Sequence, residues 1–308
     1  MDDTKNFLSD NMDMKRLIIS IFALALALSA CKPAAQTNTN GIWLWSKFMN
    51  EVNLDSLAAR DIKNIILHEV AFERHGVDST LAFVAEAHKR DMKVHIWFQC
   101  FYQDGKWINP VLDSLNCYDQ AYFDKVIERA VRYVGYGVDG IHLDYIRFGG
   151  TAHKHNPSEE ITATGCVTEF CRQINAATKA KNPGIILSAA LMPEPDSEYY
   201  YGQDPAQMGQ YIDILMPMIY FHSQSYQKGG TPWARQVADH FATKGAPAKV
   251  WAGLTTYEDT DTALVVPMNA EKILRDCRMF TDSTMAEGVV LFRYGLGELP
   301  DLHELSKE

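Results

Sequence analysis

The chain of 308 residues lacks the marks of several large protein classes. None of its six cysteines forms a CxxC pair, so a zinc framework is not expected. Basic residues are in the minority, 29 against 39 acidic ones, for a formal net charge of −10. With the two signs interspersed, a nucleic-acid partner, which needs a basic face, is not expected. No glycine-rich turn follows the first strand-like segment, where Trp43-Leu44-Trp45-Ser46 stands instead, and this disfavours a doubly wound nucleotide-binding sheet. No Gly-x-Ser-x-Gly turn presents a nucleophilic serine. The first strand also lacks the His-x-His pair of barrel metallohydrolases. No metal and no other cofactor is therefore expected, although His68, His142, His153, His155 and His222 are spread along the chain. No internal repeat interrupts residues 41–308, which excludes solenoids and arrays.

At the N-terminus, Lys15 and Arg16 precede an apolar run from Leu17 to Leu28 that ends at Leu28-Ser29-Ala30-Cys31. A basic start, a short apolar stretch and small residues before the cut describe a secretory signal. The run of about 12 residues is too short for a spanning helix, which needs about 20. Leu-Ser-Ala-Cys resembles the bacterial lipobox, whose cysteine is lipidated and becomes the mature N-terminus. Residues 1–30 are expected to be a lipoprotein signal peptide and Cys31 the lipidation site, which makes the chain a membrane-anchored lipoprotein of the cell envelope, outside the cytoplasm. The acidic stretch before Met14 fits no signal peptide and points to a translation start at Met12 or Met14. Residues 31–40 are polar, without apolar periodicity, and are expected to be a flexible tether. With Cys31 lipidated, five cysteines remain, an odd number that rules out complete intramolecular pairing, and mostly reduced, buried thiols are expected.

Across residues 41–308, strand-like apolar runs alternate with helix-like segments. The runs are 41–48, 64–70, 93–101, 140–148, 184–192, 213–221, 249–257 and 288–294. Helical periodicity falls between them. Asp78 to Arg90 carries Leu81, Val84, Ala85 and His88 on one stripe, and Ala121 to Tyr136 carries Phe123, Val126, Ile127, Ala130 and Val134. Pro157-Ser158-Glu159-Glu160 opens a helix to about Lys181, and Asn182-Pro183 stops it. Asn269 caps Ala270 to Phe280. Eight β-then-α units in series predict a closed α/β barrel, (β/α)₈, as a single domain over residues 41–308, and such a barrel takes about 250 residues.

Side chains at the carboxyl ends of barrel strands form the active-site face. The segment from Val138 to Phe148 alternates Ile141, Leu143 and Tyr145 with His142, Asp144 and Ile146. A strand therefore turns the imidazole and the carboxylate away from the apolar face. Asp144 is the leading catalytic candidate, because a charge inside a barrel is costly without a task or a partner; an ion pair with Arg147 or Arg293 is the other possibility. Glu194, held between two prolines after the fifth strand, and Glu258, after the seventh, are its candidate partners. His142, Arg147, Tyr220, Tyr257, Arg293 and Glu69 reach the same face as candidate substrate contacts. A sugar ring offers an apolar C–H face to an indole and a rim of hydroxyls to carboxylates, Arg and Tyr. Trp107 and Trp233, in loop and helix-start context, are the candidate platforms, while Trp43 and Trp251, deep in strands, suit core packing equally well. Two carboxylates flanking a bond are what glycoside hydrolysis needs.

The segment from Asp139 to Phe148, together with Leu191-Met192-Pro193-Glu194, Met216-Pro217-Met218-Ile219-Tyr220 and Gly288 to Tyr294, resembles the glycoside-hydrolase-like TIM barrels of bacterial lipoproteins and some archaeal surface proteins. The resemblance covers essentially the whole chain after the tether and implies a sugar-cleaving barrel. More distantly, the chain is similar to family 18 glycoside hydrolases, whose fourth strand reads Asp-Gly-x-Asp-x-Asp-x-Glu. Asp139, Gly140 and Asp144 match, His142 replaces the middle Asp, and Ile146 replaces the catalytic Glu. Met218-Ile219-Tyr220 is similar to the Met-x-Tyr of their sixth strand. Without an acid at position 146 the resemblance implies the fold and a sugar-shaped cleft, and it does not imply chitinase chemistry.

The expected protein is a lipid-anchored glycoside hydrolase that cleaves a polysaccharide or oligosaccharide with a carboxylate pair. The alternative is a non-catalytic carbohydrate-binding barrel. The lipobox makes a first prediction: mass spectrometry of the mature N-terminus finds a diacylated Cys31, and Cys31→Ser moves the protein from the detergent phase to the aqueous phase. A soluble wild type that retains Met1 or Met14 would contradict it.

Overall fold

In the computed structural model, eight parallel strands follow one another around a closed barrel. They are β1 (Asn40–Leu44), β2 (Asn64–His68), β3 (Lys93–Gln99), β4 (Gly140–Asp144), β5 (Ile186–Leu191), β6 (Ile214–Pro217), β7 (Lys249–Thr255) and β8 (Gly288–Phe292). Ile42 of β1 pairs with Ile65 on one side and Leu291 of β8 on the other, which closes the ring. The helices that return the chain are α1 (Leu54–Ala58), α2 (Val77–His88), α3 (Gln120–Gly135), α4 (Ala163–Lys181), α5 (Pro205–Met208), α6 (Gly230–Lys244) and α7 (Ala270–Ser283). A 3₁₀ turn, Leu302–Leu305, follows β8. The fold is the expected (β/α)₈ TIM barrel. The structure describes residues 38–223, 226, 229–259 and 264–305. The expected signal peptide and the lipidation site Cys31 lie outside the described residues, as does most of the expected tether; Asn40 belongs to β1.

The strands are shorter than the apolar runs that announce them, because the last residues of several runs leave the sheet to form the mouth. Helix α4 begins at Ala163 and not at Pro157. The hydroxyl of Thr162 caps it, accepting from the Gly165 N–H at 2.9 Å. The preceding Ser158 instead holds a bend by accepting from the Ile161 N–H at 3.1 Å. Asn269 caps α7 as expected, accepting from the Lys272 N–H at 2.9 Å.

Strand alternation builds two separate cores. Ile42, Leu44, Ile65, Leu67, Ile141 and Leu143 face the helices in one continuous apolar layer. The other face fills the barrel, where Trp43, Ile66, Trp97, Met216, Trp251 and Val290 pack together. Trp43 and Trp251 are therefore interior residues. The four buried cysteines, Cys100, Cys166, Cys171 and Cys277, are free, and Cys117 is a free, half-buried thiol. Polar side chains also enter the barrel. His95 lies over Gly140, where a Cβ would come within 2.0 Å of its Nδ1, so only glycine leaves room for the ring.

Burial holds the imidazoles of His68 and His95 down to about 4 and that of His142 down to about 3. The unfolded chain protonates all three below about pH 6.5, while the folded chain keeps them neutral to about pH 4. The unfolded state binds the extra protons in that window, so stability falls as pH drops through it. Burial raises the carboxyls of Glu69 and Asp144, which acts in the opposite sense, but two groups oppose three. The urea midpoint should therefore fall as pH drops from 7 to 4, the unfolding free energy declining by up to about 1.4 kcal/mol per pH unit for each uncompensated histidine. A level or rising midpoint across that window would overturn this account.

Candidate active site

β4 delivers His142 and then Asp144 into the barrel, and there the strand stops. Tyr145 adopts a φ of 52°, a left-handed conformation that non-glycine residues rarely take. The period of two ends with it. Tyr145 joins Asp144 at the mouth, while Ile146 enters the apolar layer between strands and helices. The sequence pattern assigns Tyr145 to the apolar face and Ile146 to that of Asp144; the turn at Tyr145 reverses both.

Asp144 is only 9 % exposed. Its Oδ2 accepts from the indole N–H of Trp97 at 2.8 Å, and its Oδ1 accepts from the backbone N–H of Tyr145 at 2.7 Å. Burial raises its carboxyl above the ordinary range, while the two donors and the charge of Arg147 pull it back. The carboxyl lines a cavity of about 200 Å³. Trp43 and Trp45 come to it from β1 and its end, Trp97 from β3, and Phe292 from β8. Met218 and Tyr220 close it from beyond β6, and Tyr145 and Arg147 from beyond β4. Tyr220 stacks on Phe292 with ring centroids 5.5 Å apart. Burial, then the Asp144 charge, raises its phenol, so it stays a donor at neutral pH.

Beneath Asp144, His142 is fully buried. The Trp43 indole donates to its Nε2 at 3.2 Å, which assigns the proton to Nδ1, donating to Ser188 Oγ at 2.9 Å. His142 is thus a neutral strut under the site and does not line the cavity. Arg147 lies over the rings of Trp107 (4.6 Å), Tyr145 (5.5 Å) and Tyr201 (5.5 Å). Burial lowers its guanidinium, and Asp144 and Glu194 are both among the charges that oppose the shift. Glu194 Oε1 accepts from the Tyr226 hydroxyl at 2.7 Å, and burial, then the nearby Glu194 carboxylate, raises the phenol of Tyr201.

The other candidates disperse. Glu69 is occupied between barrel and helix, accepting from the Gln99 N–H at 2.9 Å and the Tyr133 hydroxyl at 3.2 Å, with Arg129 3.5 Å away. Glu258 is tied to Lys272 and lies 3.5 Å from His222. Trp233 stacks against Tyr226 at 5.0 Å and packs on the core, so it is no open platform. Trp107, 40 % exposed, supports Arg147 on the hairpin after β3. The Tyr257 ring lies 6.4 Å from Phe292, outside the cavity wall. Arg293 lines a neighbouring hollow with Trp45. Trp97, Tyr145 and Tyr226 were not singled out from the sequence. Trp97 alone left a signal, since it shares its inward face with His95 on the strand beside β4. Among the described residues no group of three His, Cys, Asp or Glu side chains is disposed to hold a metal ion.

A closed parallel barrel with a buried carboxylate in an aromatic cavity at its mouth defines a TIM-barrel glycosidase. The chain belongs to the family described as "putative glycosyl hydrolase domain", whose model matches residues 78–241, just over half of the chain. Solved structures of similar fold include the spore cortex-lytic enzyme SleL of Bacillus cereus, at a TM-score of 0.59 and 12 % identity over 87 % of this chain and 74 % of that one. A chitinase from Chromobacterium violaceum has a TM-score of 0.61 and 13 % identity over 85 % and 96 %. A class V chitinase from Pseudomonas fluorescens has a TM-score of 0.56 and 16 % identity over 80 % and 76 %. At these identities the likeness is one of fold. No curated protein matches the chain in sequence.

The Trp97–Asp144 contact carries its own prediction. Trp97→Phe removes a donor that favours the charged carboxylate, so the Asp144 carboxyl moves further up. The acid limb of kcat/KM against pH should shift to higher pH than in the wild type. An unmoved limb would show that the indole N–H does not tune Asp144.

Proposed function

We propose that the barrel hydrolyses a glycosidic bond of a polysaccharide through Asp144 and Glu194, held outside the cytoplasm by a lipid on Cys31. The observation that carries this is the position of Asp144. It is a carboxylate buried among indoles, with both oxygens already oriented by N–H donors. A fixed carboxylate there stabilises oxocarbenium-like charge, and the indoles match the apolar face of a sugar. Glu194 does not line the cavity, but Arg147, which does, feels the charges of both Asp144 and Glu194, and this favours Glu194 over Glu258, whose carboxylate Lys272 occupies. A glycan seated against Trp45 and extending over Arg147 would run between Asp144 and Glu194. The missing acid at position 146 separates this arrangement from the chitinase pattern.

Asp144→Asn should lower turnover by at least about a hundredfold, the smaller end of what a positioned acid–base group supplies, while glycan binding persists. Glu194→Gln should do the same, and Glu258→Gln should leave a larger residue of activity. Release of reducing ends from a panel of glycans, with binding scored in parallel, is the measurement. Full turnover by Asp144→Asn would end the assignment. Among the described residues Asp144 is also the only carboxylate in the cavity wall, and wild-type protein that binds glycans without cleaving any would therefore be a carbohydrate-binding barrel.

A further inference from the structure

Beside the Asp144 cavity lies a second hollow of about 310 Å³, lined by Trp45, Ser46, Lys47, Arg74 and Arg293. Trp45 belongs to both walls, and Phe292 of the first is followed in sequence by Arg293 of the second. The two hollows therefore adjoin at Trp45.

Many of the other cations of this acidic protein are engaged in ion pairs. Arg90 pairs with Asp55 and Glu86, Arg129 with Glu69, Arg172 with Glu169, and Lys179 with Asp213. Lys249 pairs with Glu287, Lys272 with Glu258, and Arg275 with Glu271. Lys47, Arg74 and Arg293 form no ion pair within 4.0 Å among the described residues. Lys47 Nζ instead rests 4.7 Å from the centre of the Phe48 ring. The charge of Arg74 is felt at His68, where after burial it is the further cause that keeps the imidazole neutral. Three cations without a close ion pair are gathered in one concave place beside the buried carboxylate of Asp144, in a protein of net charge −10. A concave surface lined by one sign of charge raises the local concentration of the opposite sign, so the hollow attracts anions.

We propose that this hollow is a subsite for an anionic sugar residue, one bearing a carboxylate or a sulfate, and that it makes the substrate an acidic glycan. Guanidinium groups match the planar two-oxygen edge of such anions, and Lys47 adds a point charge. Trp45, stacked on His68 at 4.8 Å and tilted against Trp97 at 4.6 Å, is a fixed wall that can lie along the sugars of both positions. The inference rests on the glycosidase assignment for the neighbouring cavity, but it is read in binding and not in cleavage.

The test uses Asp144→Asn protein, which holds glycans uncut, and measures affinity by calorimetry for paired probes. Oligogalacturonate and hyaluronan oligosaccharides are compared with their carboxyl-reduced forms, and chondroitin sulfate oligosaccharides with their desulfated forms. At least one acidic probe should bind about tenfold or more tightly than its neutral counterpart, and the preference should shrink as salt is raised. Which member of the set is preferred separates carboxylate from sulfate. Lys47 and Arg74 are exposed, so Lys47→Gln with Arg74→Gln should fold and bring the ratio close to one, and Arg74→Glu should turn it against the acidic probe. Equal binding of acidic and neutral partners, a preference that survives these substitutions, or binding of no acidic probe at all would overturn the subsite. Wild-type protein that prefers acidic glycans without cleaving them would leave the subsite standing and remove the glycosidase assignment alone.

Discussion

The indole N–H of Trp97, 2.8 Å from Asp144, decides what the mouth of this barrel can be. A carboxylate taken out of water costs several kcal/mol unless donors replace the lost solvent. Here the replacement comes from a side chain that also belongs to the interior core. Trp97 is fixed by its strand register, in which it pairs with His68 and His142, and by the ring of Trp45. His142 is in turn fixed by Trp43 and Ser188. Polar satisfaction and packing are therefore performed by the same aromatic side chains. Truncating one of them opens a void and leaves a buried polar group unpaired, two costs that add.

Charge is distributed to the same end. Outside the barrel, ion pairs such as Arg275–Glu271 and Lys249–Glu287 join exposed groups and contribute little to stability, roughly 0–1 kcal/mol each. At the mouth, guanidinium groups are kept over rings or against open space: Arg147 over Trp107, Tyr145 and Tyr201, and Arg293 beside Trp45. An arginine stacked on a ring keeps its position and its charge while its N–H groups remain free to meet a ligand.

The barrel was legible because eight apolar runs recur at barrel spacing with helix-forming sequence between them. Strand ends were overestimated, as at Tyr145, because hydrophobic residues beyond the last ladder bond look like further strand. The helix start at Ala163 was missed because Pro157-Ser158-Glu159-Glu160 has the composition of a first turn, while the true cap, Thr162, lies five residues on. Within the site, Asp144, Arg147 and Tyr220 could be found, since charge or a phenol at a strand end is conspicuous. Trp97 could not, because a mid-strand indole has the periodicity of core, and its hydrogen bond depends on the register of a strand more than forty residues away. Glu258 and Glu69 failed as candidates for the converse reason: their partners, Lys272, Arg129 and Tyr133, come from helices whose facing side chains the strand pattern does not reveal.

The left-handed turn at Tyr145 also bears on how this sequence may be aligned with others. Matching letters along the fourth strand puts Ile146 opposite an acid, and invites repair by Ile146→Glu. In space, position 146 belongs to the fully buried layer against the helices. A glutamate there would acquire no substrate, only a hydrocarbon environment that forces it to keep its proton. One backbone dihedral has moved the frame in which the motif has meaning, so that letters matched in line name different surfaces.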